Sequence, residues 1–309
     1  MMRILITGGA GFLGSALANR LYREGHEVLV LDDLSAGDRA RLDEGVFFHR
    51  ASVQDRPRLW TLLQGVEMVY HLAARTSVAE SVNYPREYNA VNVDGTLALL
   101  EAMRDVRTPR LVFTSSGALY GEQAQQPVSE EALPNPRSPY AVSKLAAEHY
   151  IHTVGRLWGI ETVALRIFNA YGPGQPLPPF HAPVVPRFLH QAVGGGSLVI
   201  FGDGRQTRDF VYLDDVVEAL VAVLARRGLG GATINIGSGV ETSIEALAGL
   251  VLRLTGSHSN ILYSPKEGGG VSRLCADLRR AEALLGYRPA VSLEEGLRRT
   301  LALDPRFAR

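Results

Sequence analysis

Tyr140 and Lys144 stand four residues apart, so on a helix their side chains leave the same face one turn apart. An ammonium beside a phenol favours the phenolate. The spacing therefore predicts a tyrosine pKa drawn down from its usual value of about 10 toward neutrality. A phenol tuned in this way can take and return a proton, and the start of the chain offers a place for a matching hydride acceptor. There the run Thr7-Gly8-Gly9-Ala10-Gly11-Phe12-Leu13-Gly14 satisfies G-x-G-x-x-G from Gly9 and the wider G-x-x-G-x-x-G from Gly8. Such glycines permit a tight turn, the approach of backbone to a pyrophosphate, and close packing of helix on strand. The first N–H groups of the helix and its positive dipole end then face the phosphates. Asp32 ends the next β-type run, where a carboxylate accepts hydrogen bonds from a ribose diol and repels a 2′-phosphate. No arginine or lysine follows immediately, so the pattern predicts NAD rather than NADP.

These residues need a scaffold, and the hydrophobic pattern supplies one. Short β-type runs at 3–7, 27–31, 46–49, 68–72, 110–114, 162–167 and 233–236 alternate with helical patterns, among them 15–24 and 214–225. Continuous apolar strands separated by helices predict a parallel sheet covered on both faces. The expected fold is α/β, a doubly wound Rossmann sheet of about seven strands with a smaller C-terminal substrate-binding region. Composition shifts after Asn169, and 172–186 is rich in proline and glycine, a long loop of the kind that is usually functional or mobile. The expected division is an NAD-binding domain over 1–168 and about 210–236, with a substrate-binding region over about 169–209 and 237–309.

Composition excludes several classes. The 309 residues carry 32 Lys+Arg against 32 Asp+Glu, so no nucleic-acid partner is expected. One cysteine, Cys275, precludes an intramolecular disulfide framework, suits a reducing cytoplasm, and reads as a buried small residue. The eight histidines show no metal-ligand spacing, so no metal site is expected. No apolar run reaches the roughly 18–20 residues needed to span a bilayer, and the N-terminus enters the glycine loop without a signal-peptide pattern. The expectation is a cytoplasmic protein without membrane contact.

An ordered set of motifs carries a family resemblance: 7–14, Asp32, His71-Leu72-Ala73-Ala74, Asn92, Thr114-Ser115-Ser116, Tyr140 with Lys144, 166–169 and Arg208-Asp209. From Met2 to about Thr300 the chain resembles the extended short-chain dehydrogenase/reductases, in particular the nucleotide-sugar 4-epimerases typified by UDP-glucose 4-epimerase. The resemblance implies that Tyr140 takes the proton of the sugar 4-hydroxyl while the C4 hydride passes to NAD. It gives Lys144 the nicotinamide ribose and the lowering of the tyrosine pKa. Ser116 would relay the proton, and Asn92 would orient the lysine through a backbone or water contact. Cofactor contacts are implied for Gly8, Gly11, Phe12, Leu13, Gly14, Asp32, Asp33, Ser35, Gly37, Ser52, Val53, Leu72, Ala73, Ala74, Asn92, Thr114, Tyr140, Lys144 and Phe168. Contacts to a nucleoside-diphosphate sugar are implied for Thr76, Ser116, Tyr140, Asn169, Val185, Phe201, Arg208 and Arg273. Helices around 89–104 and 140–154 would pair in a homodimer.

Departures from the pattern sharpen the reading. Related sugar 4,6-dehydratases place an Asp-Glu pair after the serine position, where this chain has Gly117-Ala118. Without that carboxylate pair, elimination of the C6 hydroxyl lacks its acid/base catalyst. Glu267 stands where a second phosphate-binding arginine is expected, and Gly270 where an aspartate is. Either Lys266 or Arg273 substitutes, or the loop points elsewhere. Ser52 replaces an adenine-reading aspartate, and Gly174 a frequent arginine. Three readings remain at this point: a 4-epimerase, a 4-ketoreductase or other nucleotide-sugar oxidoreductase of the same fold, and a non-catalytic NAD-binding regulator.

Overall fold

The computed structural model describes residues 1–265 and 271–307; Lys266, Glu267 and Gly270 therefore lie outside the described residues. The expected strands form one parallel sheet. In chain order the first half runs β1 (Arg3–Thr7), α1 (Phe12–Arg23), β2 (Glu27–Asp32), β3 (Phe47–Arg50), α2 (Arg56–Leu62) and β4 (Met68–His71). There follow α3 (Val78–Asn83), α4 (Pro85–Asn89), α5 (Gly95–Val106), β5 (Arg110–Ser116), α6 (Pro139–Trp158) and β6 (Glu161–Ile167). The second half holds β7 (Asn169–Tyr171), α7 (Val184–Val193), β8 (Leu198–Phe201), β9 (Thr207–Tyr212), α8 (Leu213–Ala225) and β10 (Ala232–Ile236). Last come β11 (Glu241–Ser243), α9 (Ile244–Thr255), β12 (Ile261–Ser264), α10 (Arg279–Leu285) and α11 (Leu293–Leu303).

The main sheet has seven strands in the order β10-β6-β5-β4-β1-β2-β3, every pairing parallel. Chain order reverses between β1 and β4, the switch point beside which ligands bind in such sheets. Apolar clusters cover both faces. One gathers Ile4, Leu17, Tyr70 and Val216 against α1 and α8; the other gathers Leu5, Leu99, Phe113 and Ile151 against α5 and α6. The return of α8 and β10 to this sheet follows the expected chain path. Two small sheets, β11-β9-β7 and β12-β8, share a separate core around Phe188, Phe210 and Leu247.

Helix α6 matters most for the site. Ser138 caps it, its hydroxyl accepting the Ala141 N–H at 3.1 Å, and Pro139 takes the first-turn position where a missing N–H costs nothing. Gly159, at φ +71°, ends it in the left-handed conformation that glycine adopts without penalty. The helix is fixed to the sheet through Glu148, whose carboxylate accepts Arg166 Nη2 of β6 at 2.6 Å and Ser115 Oγ of β5 at 2.5 Å. Both ionic side chains are buried, at 4% and 7% exposure, so neither can fall back on water. Breaking such a pair from one side strands a buried charge, at about 3–5 kcal/mol. Arg166→Met is expected to lower unfolding stability on that scale in urea titrations, and Glu148→Leu added to it is expected to recover much of the loss.

Candidate active site

On α6, Tyr140 and Lys144 leave the same face, as their spacing requires. Lys144 is 3% exposed, and its Nζ lies 4.1 Å from the centroid of the Phe113 ring. No hydrogen bond or ion pair holds that ammonium among the described residues. Burial pushes its pKa down to about 7, against the opposing attraction of Glu148 one turn further on. Tyr140 is half-buried, yet burial raises the pKa of its phenol, and the Ser116 hydroxyl partly offsets the rise. The expected lowering of the tyrosine by the lysine is therefore corrected. Desolvation dominates at both groups and drives each toward its neutral form.

Ser116 ends β5 and caps the short 3-10 turn Gly117–Tyr120, its Oγ accepting the Ala118 N–H at 3.1 Å. Thr114, two residues earlier on the same face of the strand, donates its hydroxyl to the His71 carbonyl at 3.3 Å. His71 itself lies between Thr7 Oγ1 at 2.7 Å and Thr96 Oγ1 at 2.8 Å. Burial takes its pKa to about 3, so it is a neutral strut rather than an acid or base.

Asn92 reaches α6 one residue before Lys144. It sits in a π-helical turn, Ala90–Asp94, and its side chain clasps the Arg75 backbone at both N (2.8 Å) and O (3.0 Å). Its second amide N–H goes to Ser143 Oγ at 2.9 Å, and its own carbonyl accepts the Thr96 hydroxyl at 2.7 Å. In Ser143 it touches the residue next to Lys144 on α6.

Most of the residues expected to hold the cofactor lie around the switch point. A β-carbon at Gly8 would stand 2.5 Å from Ala73 N, and one at Gly14 only 2.1 Å from Gly8 O, so glycine is required at both places. Gly11 caps α1 without a side-chain hydrogen bond, and no acidic residue occupies the first turn. The N–H groups around Phe12 and Leu13 thus present an uncapped positive end suited to phosphate. Asp32 is buried and accepts the N–H of Ala10 at 3.0 Å and of Leu34 at 2.8 Å, leaving further lone pairs for a diol. Asp33 accepts the Ser35 N–H at 2.9 Å, and Gly37 packs against the Asp32 carboxylate. Ser52 and buried Val53 follow β3, while Leu72, Ala73 and Ala74 follow β4 beside the glycine loop. Phe168 is buried against Gly117 and Tyr120, the latter ring 6.2 Å away. Buried Lys144, without a partner of its own, together with the glycine cradle, fits a dinucleotide whose ribose faces the lysine.

On the opposite side the expected substrate residues divide. Thr76 and Asn169 are exposed, and Phe201, 39% exposed, ends β8. Arg208 on β9 donates Nη1 to the Thr207 carbonyl at 2.6 Å and has no carboxylate ion pair among the described residues. Val185, by contrast, is 2% exposed within the small core, so any contact it makes is through its backbone in the first turn of α7. Arg273 is taken up in a two-pronged ion pair with Glu241, both contacts at 2.7 Å, and would have to leave it to reach a phosphate. Asp209 is fully buried and accepts the N–H groups of Ser238 (2.6 Å), Gly239 (2.9 Å) and Ala276 (3.0 Å), so it ties loops rather than ligand. Buried Cys275, its thiol pushed up to about 12, is unreactive as expected. Sequence reasoning missed Tyr88, Glu80 and Arg75, which meet beside Tyr140. Only the aromatic character of Tyr88 and the Arg-x4-Glu spacing hinted at them.

A glycine cradle at the switch point of a doubly wound sheet, facing a serine, a tyrosine and a buried lysine, defines a nicotinamide-dependent oxidoreductase site. Residues 4–237 match the model of the NAD-dependent epimerase/dehydratase family, and the chain belongs to that family. The chain is 39% identical over 307 residues to the UDP-glucose 4-epimerase of Mycolicibacterium smegmatis, covering 97% of each. It is similar to the crystal structure of UDP-glucose 4-epimerase with UDP-glucose from Thermotoga maritima, with a TM-score of 0.94 and 37% identity over 97% of this chain and 98% of that one. The Thermus thermophilus UDP-glucose 4-epimerase complex with NAD gives a TM-score of 0.90 and 35% identity, again over 97% and 98%. No helix among the described residues is long and apolar enough to cross a membrane.

The lysine carries a pH signature. Its folded pKa of about 7 lies below the unfolded value of about 10.4, so between them the unfolded chain binds more protons and stability rises with pH. Below about pH 7 the full cost of burying the ammonium is present. Lys144→Met in nucleotide-free protein is therefore expected to raise the melting temperature, by more at pH 6.5 than at pH 9.5. Equal shifts at the two pH values would contradict the assignment.

Proposed function

We propose that this protein is an NAD-dependent nucleotide-sugar 4-epimerase acting on UDP-glucose and UDP-galactose or a closely related nucleoside-diphosphate sugar. Tyr140 takes the proton of the sugar 4-hydroxyl, with Ser116 bridging the two oxygens. Bound NAD supplies the nicotinamide carbon that accepts the C4 hydride and gives it back. Lys144 holds the nicotinamide ribose through its N–H groups and, when protonated, favours the phenolate. Arg208, half-buried and without a carboxylate ion pair among the described residues, grips the diphosphate. The 4-keto sugar turns over while its nucleotide stays held, and Tyr140 returns the proton on the new face.

One observation carries the choice among reactions. Directly after Ser116 the chain has Gly117, where a β-carbon would stand 3.0 Å from the Phe168 ring. The packing leaves little room there for the carboxylate of a dehydratase, while Ser116, Tyr140 and Lys144 are all in place for oxidation and reduction at C4.

The same reading assigns NAD to residues 1–168 and about 210–236, and the sugar nucleotide to about 169–209 and 237–309. It also makes the protein a cytoplasmic homodimer. Val142, Tyr150 and Leu157, exposed by 52%, 44% and 75%, form one outward stripe on α6 and support that pairing.

Purified protein with UDP-glucose and no added cofactor is expected to yield the galactose-configured product by NMR, with NAD copurifying. Consumption of added reduced nicotinamide in step with product would instead favour a ketoreductase. Tyr140→Phe is expected to lower kcat by about 10²–10⁴-fold with KM and bound NAD little changed.

A further inference from the structure

Tyr88 is fully buried, and its ring meets that of Tyr140 edge-to-face, with centroids 6.5 Å apart and planes at 85°. Nothing in the reaction as described uses it. Its hydroxyl donates to Glu80 Oε2 at 2.8 Å, and Glu80 Oε1 accepts Arg75 Nη2 at 3.1 Å. The Arg75 guanidinium turns back over the Tyr88 ring, 5.5 Å from its centroid. Tyr88 is thus held at its hydroxyl and on one face, and it meets Tyr140 with the rest of its ring.

The chain of contacts then closes on itself. Asn92 clasps the Arg75 backbone at both N and O and passes its other N–H to Ser143 Oγ. Ser143 in turn donates its hydroxyl to the Tyr140 carbonyl at 2.8 Å. A ring of contacts therefore runs from Tyr140 through Tyr88, Glu80, Arg75, Asn92 and Ser143, and back to Tyr140. It grips the side chain of Tyr140 at one end and its backbone at the other. Burial and the Glu80 carboxylate push the Tyr88 phenol up to about 12, so it remains a proton donor to Glu80 across the working range.

From this geometry we propose that Tyr88, tethered by the Glu80–Arg75 pair, is a positioning residue that fixes the ring plane of Tyr140. The proposal rests on the reading of Tyr140 as the proton-transfer group. An epimerase makes a stringent demand on that ring, because one phenol must meet the sugar oxygen in two orientations of the same sugar. A displacement of about 1 Å at such a contact can cost about 10²-fold in rate.

The experiment compares wild type with Tyr88→Leu and Tyr88→Phe as NAD-loaded full-length protein, by crystal structure and by epimerisation kinetics. Tyr88→Leu is expected to leave Tyr140 rotated or in several conformers and to lower kcat about 10²-fold, with KM nearly constant. The kinetic isotope effect with C4-deuterated substrate is expected to rise as the transfer step becomes limiting. Tyr88→Phe, which keeps the ring but loses the tether, is expected to fall between the two and serves if the leucine variant does not fold. An unmoved Tyr140 ring, or a kcat within twofold of wild type in folded Tyr88→Leu, would overturn the proposal. A wild type that epimerises no sugar nucleotide, combined with a Tyr140 ring displaced in the variant, would sink the functional reading and leave the positioning role standing.

Discussion

The buried pair of Glu148 and Arg166 sets the register of α6 against the sheet, and the site hangs from that register. Glu148 reaches Arg166 on β6 and Ser115 on β5 with its two carboxylate oxygens. Arg166 also donates to the Tyr120 hydroxyl at 2.8 Å, which donates in turn to Asn235 Oδ1 of β10 at 2.7 Å. One helix and three parallel strands are thereby locked together one turn beyond Lys144. Because Ser115 precedes Ser116 in the strand, the same lock fixes the distance from strand end to helix start across which Ser116 faces Tyr140. Geometric specificity is the best use of an ion pair that gains little stability over apolar residues of the same volume.

Burial, rather than charge pairing, sets the resting electrostatics. Lys144 and Tyr140 both sit where their charged forms are disfavoured, and His71 beside them is held neutral. A site with such poorly solvated groups is poised for a ligand that brings its own dipoles and charge. The side proposed for the diphosphate shows a complementary arrangement: Arg208 has no carboxylate ion pair among the described residues, while Arg273 is already occupied by Glu241. Asp209, next to Arg208, ties its carboxylate to two loops through three N–H groups and so holds the strand that carries the arginine.

Much of this was legible in the residues themselves. Five strands of the main sheet, β1, β2, β4, β5 and β6, follow from continuous apolar runs, because a sheet covered on both faces leaves no alternation to misread. The glycine cradle was readable because Gly8 and Gly14 answer a steric demand that no other residue meets. What could not be read is tertiary. The π turn at Ala90–Asp94 has no periodic signature, and it is what turns Asn92 toward Arg75 and Ser143. Helix α1 starts at Phe12 rather than Ser15 because the glycine turn feeds straight into it. Local spacing implied a lowered tyrosine pKa, but desolvation is contributed by residues distant in sequence, and it reverses the sign. Arg273 finds Glu241 32 positions away only because β11 lies against β9. The strands of the small sheets are mostly three to six residues long and blend into loop composition.

The central claim is that one buried Ser116–Tyr140–Lys144 site removes a hydride from C4 and returns the same hydride to the same sugar. It is tested most directly by following a UDP-sugar deuterated at C4 through its conversion, in ordinary water with an excess of unlabelled reduced and oxidised nicotinamide present. The account predicts that the epimer keeps its deuterium at C4, with none in solvent and none in the free cofactor pool. Loss of the label to water, or its transfer to the added nicotinamide in step with product, would contradict it.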